Sequence, residues 1–294
     1  MTRRTVLLAA AGMAMIGLSS PARAESNITV KGSDTMIILS QRWAEEFMKK
    51  NQDVTIQVTG GGSGTGIASL VNGTTTLANS SRPIKAEEIE AAKKNKIDVV
   101  EFKTAMDGLG VVVNAGNPVD HLTIKQVGMI YTGYINNWKQ VGGPDKRIIR
   151  YSRESNSGTY VFFKEHVLLN RDYAADCQTM SGTSAVAEAV SHDPNAIGFG
   201  GVAYFATNPK IRILKIAKDE KTEPISPVLP DGKINYEAVW TQTYPISRYL
   251  YVYSAGQPQG SVKAFVDWIL GPEGQAVVEK IEYVPMPGAK GARG

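Results

Sequence analysis

Three short stretches of this chain set hydroxyls and glycine where a helix begins: Gly32-Ser-Asp-Thr-Met36, Gly60-Gly-Gly-Ser-Gly-Thr-Gly66 and Arg153-Glu-Ser-Asn-Ser-Gly-Thr159. Each follows an apolar, β-branched run (Ile28-Thr-Val30, Val54-Thr-Ile-Gln-Val58, Arg147-Ile-Ile-Arg-Tyr151). The first N–H groups of a helix lack partners inside it, and the aligned peptide dipoles make that end positive. Such an end, joined by the Ser155, Ser157 and Thr159 hydroxyls and the Arg153 guanidinium, can hold a tetrahedral oxyanion. One junction alone is equally an ordinary helix start, because Ser and Thr are favoured caps. Repetition shifts the balance toward one anion site built from several helix starts.

Periodicity supplies the elements that position these junctions. Met36, Leu39, Trp43 and Phe47 recur at helical spacing, as do Tyr160, Phe163 and Val167; Ile67 to Val71 continues the second junction. Leu77 to Ser81 ends a strand, and Pro83 keeps Arg82 extended. Ala86 to Asn95 reads as a polar helix. Val99–Phe102 and Leu109–Val113 read as two strands, with Asp107-Gly108 in a turn between them. Thr123 caps a helix to about Tyr131, and Gly142–Asp145 is a turn. Thr183-Ser184 starts a helix carrying Val186, Ala189 and Val190, and Ala196–Gly200 is a glycine-rich strand. Residues 216–237 are charged and turn-rich, and read as a surface excursion. Arg248–Tyr253 is a strand with Tyr249, Tyr251 and Tyr253 on one face. Gly260-Ser261 opens an amphipathic helix (Val262, Phe265, Val266, Ile269), Gly271-Pro272 ends it, Gln275–Ile281 is helical again, and the tail from Pro287 is frayed. Strands alternating with helices predict an α/β fold with mostly parallel sheet.

The first residues read as a leader: basic Met1–Arg4, apolar Val6–Leu18, then the small-x-small Ala22-Arg-Ala24. The run is short for a membrane span, and Thr2–Leu8 loosely fits a twin-arginine signal. No cysteine stands at the cleavage point for a lipid anchor, so a free periplasmic protein is expected. Without residues 1–24 the formal charge falls from +4 to about +1, since Arg3, Arg4 and Arg23 leave. Near-neutrality argues against a nucleic-acid partner. Cys177 is alone, so no internal disulfide forms, and it reads as a small apolar residue. The glycine stretch lacks the Lys-Ser/Thr of a nucleotide loop and the spacing of a dinucleotide fingerprint or nucleophile elbow. His121, His166 and His192 are scattered and make no zinc spacing.

Six motifs in order (Gly32–Thr35, Gly61–Ile67, Ser80–Lys85, Asp107–Asn114, Gly133–Trp138 and Arg153–Thr159) resemble the PstS-type phosphate-binding proteins. The resemblance covers nearly all of the chain after the leader. It implies a type II periplasmic binding-protein fold, with lobe 1 from 25–114 and 249–294 and lobe 2 from 115–248. The chain crosses twice between them, and the ligand lies in the cleft. It further implies a monomer that carries inorganic phosphate to an ABC permease, without catalysis, cofactor or metal. Carried over position by position, the site takes Thr35 (hydroxyl), Met36 (N–H), Ser63, Ser81, Arg153, Ser157, Gly158 and Thr159, with Arg82 beside them. Longer members carry at the Arg82 position an Asp that accepts the proton of hydrogen phosphate. Another carboxylate must then reject sulfate: Asp107 is the first candidate, Asp34 the second. Other oxyanions (sulfate, molybdate, tungstate, a phosphonate), an exported phosphoryl-transfer enzyme, and a sensory or adhesive protein on the same fold remain alternatives.

Overall fold

A computed structural model describes residues 26–288; the expected leader and the end of the tail lie outside the described residues. The chain runs β1 (Ser26–Gly32), α1 (Ile37–Lys50), β2 (Val54–Thr59), α2 (Ser63–Val71), β3 (Leu77–Ser80), α3 (Ala86–Lys94) and β4 (Val99–Asn114). It continues through β5 (His121–Thr123), α4 (Ile124–Tyr131), β6 (Ile149–Arg153), α5 (Gly158–His166), β7 (Gln178–Met180), α6 (Thr183–His192), β8 (Ala196–Gly201), β9 (Ile211–Ile213) and β10 (Lys215–Ala217). Last come α7 (Tyr236–Trp240), β11 (Ser247–Ala255), α8 (Gly260–Leu270) and α9 (Pro272–Lys280).

The result is a two-lobed α/β protein. One lobe holds the parallel set β2-β1-β3, the other the parallel set β8-β6-β7. Among the strands named above, antiparallel pairing is confined to the two between them, β4 and β11, with their neighbours, and to β9 on the edge of β4. Each lobe has its own core. Ile28, Leu39, Trp43, Phe47, Leu250, Phe265 and Val278 cluster in the first; Leu109, Val127, Trp138, Phe163, Phe199 and Ile246 cluster in the second.

Local sequence accounts for most elements. The inward stripe of α1 buries Leu39, Trp43 and Phe47, with the Trp43 indole donating to the Gly274 carbonyl at 2.8 Å and Phe47 edge-on to Phe265. Thr123 caps α4 in a reciprocal box with Gln126. Pro272 opens α9, where a missing N–H costs nothing.

Two expectations fail. Asp107-Gly108 is not a turn: β4 runs straight through it, pairing with β11 as far as Gly108 and with β8 from Leu109. An Asp-Gly pair signals a hairpin only when nothing else engages it. Here Asp107 is buried beside Arg248, and Val239, Pro227 and Tyr244 press on the site where a Gly108 side chain would stand. The exchange of partner falls between Gly108 and Leu109. Residues 216–237 are likewise no mere excursion. Ile216 and Ala217 are buried where β10 pairs in parallel with β5, and Ile234 packs in a small cluster with Met106, Val202, Val239 and Val284.

Candidate functional site

All three hydroxyl-bearing helix starts converge between the lobes. The first junction tightens into a single 3-10 turn, Asp34–Met36, before α1, and turns the Thr35 hydroxyl inward. The glycine loop holds positive φ at Gly61 and Gly62, a conformation that favours glycine, and delivers Ser63 at the start of α2. Ser157 caps α5, accepting from the Tyr160 N–H, and leaves Gly158 and Thr159 in the first turn with N–H groups that no helical carbonyl can take.

Four buried hydroxyls form a contiguous cluster across the two lobes. Thr35 Oγ1 lies 2.8 Å from Thr159 Oγ1, which is 3.4 Å from Ser81 Oγ; Ser81 Oγ is 3.4 Å from Ser63 Oγ. The Ser81 N–H also donates to Ser63 Oγ at 3.1 Å. Gly158 packs so tightly here that a Cβ on it would fall 2.2 Å from Ser63 Oγ and 2.8 Å from Ser81 Oγ.

Two buried guanidiniums flank the cluster. Arg153 donates from Nη2 to Asp34 Oδ2 at 2.7 Å and to the Ser181 carbonyl at 3.3 Å, from Nη1 to Thr183 Oγ1 at 3.0 Å, and from Nε to the Met180 carbonyl at 3.3 Å. Burial pulls its pKa below the usual guanidinium range, and the Asp34 carboxylate opposes that pull. Arg248, on β11, donates from Nε and Nη2 to Asp107 Oδ2 at 3.1 and 2.8 Å, from Nη1 to the Ser81 carbonyl at 3.1 Å, and from Nη2 to Thr159 Oγ1 at 3.1 Å.

Direct bonds hold the lobes closed at the mouth. The Asn156 side chain donates to the Gly61 carbonyl at 2.9 Å and to Thr65 Oγ1 at 3.2 Å, while its own carbonyl accepts from the Gly64 N–H at 2.9 Å. Asp34 is the central clasp. Its Oδ1 takes the Gly61 N–H, its Oδ2 takes Arg153, and its carbonyl takes the Tyr204 hydroxyl at 2.8 Å. Burial pushes the Tyr204 phenol up to about 12, so it remains a donor at neutral pH.

Of the residues expected at the site, Thr35, Ser63, Ser81, Gly158 and Thr159 come together, and Ser157 stands behind them as the cap of α5. Met36 does not offer its N–H: that group closes the 3-10 turn on the Ser33 carbonyl at 3.0 Å. Arg82 is turned onto α3, where Nη1 and Nη2 meet both Glu88 oxygens at 2.8 and 2.6 Å. Asp107 is buried, with Oδ2 on Arg248 and Oδ1 accepting only the Val202 N–H at 3.3 Å. Sequence reading missed Arg248, Asn156 and Tyr204. Arg248 carried a signal, since alternation puts it on the face of Leu250 and Val252, both buried. Among the described residues, no group of three or more His, Cys, Asp or Glu is placed to hold a metal ion, and no helix is long and apolar enough to cross a membrane.

The family model of the PBP superfamily domain matches residues 19–273. The phosphate-binding protein PstS of Staphylococcus saprophyticus is 32% identical over 280 residues, covering 92% of this chain and 84% of that protein. The chain belongs to the PBP superfamily, among the PstS-type proteins. Protein SphX of Synechococcus elongatus is 31% identical over 297 residues, covering 97% of this chain and 86% of its own. A substrate-binding protein from Clostridium perfringens solved with bound phosphate superposes with a TM-score of 0.78 at 30% identity, over 89% of this chain and 100% of the other. A Vibrio cholerae ABC-type phosphate transport receptor gives 0.69 at 27%, over 89% and 100%. Within a PstS-type fold, the hydroxyl cluster lies where two lobes close on each other.

Proposed function

We propose that this chain binds inorganic phosphate between its lobes and delivers it to an ABC-type importer, acting as an exported monomer with residues 1–24 as a cleaved leader. The observation that carries the reading is the cluster of Thr35, Ser63, Ser81 and Thr159, shared by both lobes and placed at the start of α5. Its relatives' names and the phosphate bound in the Clostridium perfringens structure support it. Thr35, Ser63, Ser81, Ser157, Gly158 and Thr159 surround the anion, with neutral donors and guanidiniums supplying the attraction. Ligand binds the closed arrangement in preference to the open one and shifts the population toward it. Asp107 is the carboxylate with spare acceptor capacity, since Oδ1 holds one long bond, and takes the proton of hydrogen phosphate.

A second reading keeps the fold and changes the anion. What favours it is that Asp34 and Asp107 each already hold an arginine, leaving sulfate less to repel it. Calorimetric titration of the phosphate-stripped protein, alone and in excess sulfate, separates the two. One-to-one phosphate binding that sulfate leaves undisturbed supports phosphate transport. Equal competition makes the protein a general oxyanion binder, and absence of phosphate binding ends the assignment.

A further inference from the structure

We propose that a β-bulge at Thr104, held by Gln275 of α9, aims the Asp107–Arg248 pair into the cleft, so that Thr104 and Gln275 are positioning residues for the anion site. The proposal rests on the anion-binding reading above. Strands β4 and β11 pair residue for residue from Gly108–Ser247 to Ala105–Leu250, and again from Lys103–Tyr251 to Val99–Ala255. Thr104 is left with no residue opposite it on β11. One extra residue in a strand exchanges the strand's two faces beyond that point.

The side chains show the exchange. On β11, Leu250 and Val252 face the core of the first lobe, while Tyr251 and Tyr253 pack on the opposite face with Tyr249. Ahead of Thr104, the even-numbered Phe102 joins that core. The odd-numbered Glu101 and Lys103 join the tyrosines: Glu101 accepts from the Tyr253 hydroxyl at 2.9 Å, and the Lys103 ammonium lies 4.5 Å from the Tyr249 ring centre. Past Thr104 the numbering reverses. Ala105 packs with Leu250 in the core, and Asp107 stands opposite Arg248. Without the extra residue, Asp107 would follow Glu101 and Lys103 onto the tyrosine face, away from the hydroxyl cluster. Where it stands, it neighbours Thr35: a Cβ on Gly201 would fall 2.9 Å from Thr35 Cγ2 and 3.3 Å from Asp107 Oδ2. Arg248 links the pair onward to Thr159 Oγ1.

A bulge interrupts the ladder, and buried backbone groups freed by it need other partners. Thr104 is fully buried. Its carbonyl accepts from Gln275 Nε2 at 2.9 Å, and its hydroxyl donates to the Leu250 carbonyl at 3.2 Å, where the register shifts. Gln275 is buried too and fixed at both ends of its amide. Nε2 also donates to the Ile269 carbonyl at 2.9 Å, and Oε1 accepts from the Met286 N–H at 2.9 Å. Two residues past Thr104, Met106 exchanges backbone bonds with Val284 at 2.7 and 3.2 Å. Helix α9 and the segment after it thus hold β4 immediately ahead of Asp107. An amide serves two carbonyls and one N–H together, whereas a methionine of similar length serves none.

The test is calorimetric titration with phosphate, and with sulfate should phosphate not bind, of the purified protein, Gln275→Met, Thr104→Val and Thr104→Ser. Gln275→Met is repeated in an Asp107→Asn background, and hydrogen exchange at the Arg248 Nε–H is read by nitrogen-15 NMR without ligand. Gln275→Met should weaken anion binding about tenfold and speed that exchange about tenfold, the scale of one lost buried hydrogen bond. Thr104→Val should lose about threefold, the lower end of that scale; Thr104→Ser, which keeps the hydroxyl, should lose nothing. In the Asp107→Asn background Gln275→Met should weaken binding no further, because residues that act through one group are not additive. A merely structural role predicts lower stability in urea with affinity and exchange unchanged. That result overturns the proposal, as do losses that add in the Asp107→Asn background. Should Gln275→Met not fold, the contrast of Thr104→Val with Thr104→Ser decides. If neither anion binds, the anion-binding reading falls, and exchange at Arg248 alone decides whether Thr104 and Gln275 hold the pair.

Discussion

Arg82 and Arg153 both stand at a strand end beside hydroxyl residues, and both finish buried against a carboxylate, at 2.6 and 2.7 Å. Their partners lie at very different chain separations. Glu88 is six residues from Arg82 in the same lobe and also accepts the Lys85 N–H that starts α3. Asp34 is 119 residues from Arg153, on the other lobe. A local buried pair secures a lobe, whereas one that spans the cleft secures a conformation. Pairs of nearly equal length therefore carry unequal consequences for stability and for binding.

The sharpest break in that contrast comes from Gly158, which packs against the first lobe while belonging to the second. Gly158→Ala puts a methyl group into Ser63 and Ser81 and should hold the lobes apart, costing about a hundredfold in phosphate affinity by calorimetry, with the thermal midpoint of the ligand-free protein little changed. Glu88→Gln leaves Arg82 buried without its counter-charge. It should cost about 3 kcal/mol of stability in urea unfolding, with the affinity of the folded fraction held within about threefold. Asp34→Asn should do the opposite, weakening phosphate binding about tenfold through a less populated closed state while unfolding free energy moves by less than about 1 kcal/mol. Asn156→Ala removes only exposed bonds at the mouth; stopped-flow release should quicken by about threefold to tenfold. Should Glu88→Gln and Asp34→Asn affect stability and affinity alike, the division between the two pairs is wrong.

Much of this was legible in the sequence where one segment decides its own fate. The stripe of Leu39, Trp43 and Phe47, the cap at Thr123 and the break at Gly271-Pro272 each follow from neighbours a few residues away. The convergence of Thr35, Ser63, Ser81 and Thr159 was signalled by repetition of one junction type. Part of what stayed hidden depends on residues far along the chain, and part on how a near neighbour is turned. Asp107-Gly108 has the local chemistry of a turn, and only Arg248 and the side chains pressing on Gly108 keep it extended. The Met36 N–H was committed by how tightly its own turn wound, and Arg82 by a glutamate that read as part of a solvated helix. Asn156 carries no local signal, because its side-chain partners Gly61 and Thr65 lie 95 and 91 residues away.

The course of β4 and β11 also sets an order of assembly. Strand β3 lies between β1 and β11, and α8 and α9 cover α1, so the first lobe is finished by residues made after the second lobe. The second lobe draws its core from the continuous stretch between Leu109 and Ile246. During synthesis, the middle of the chain can close its core while residues 26–80 still wait for residues 247–288. Lengthening the delay before residues 247–288 appear should therefore prolong exposure of the β1–β3 segment, including the edge of β3 that β11 later covers, without slowing the lobe that follows it.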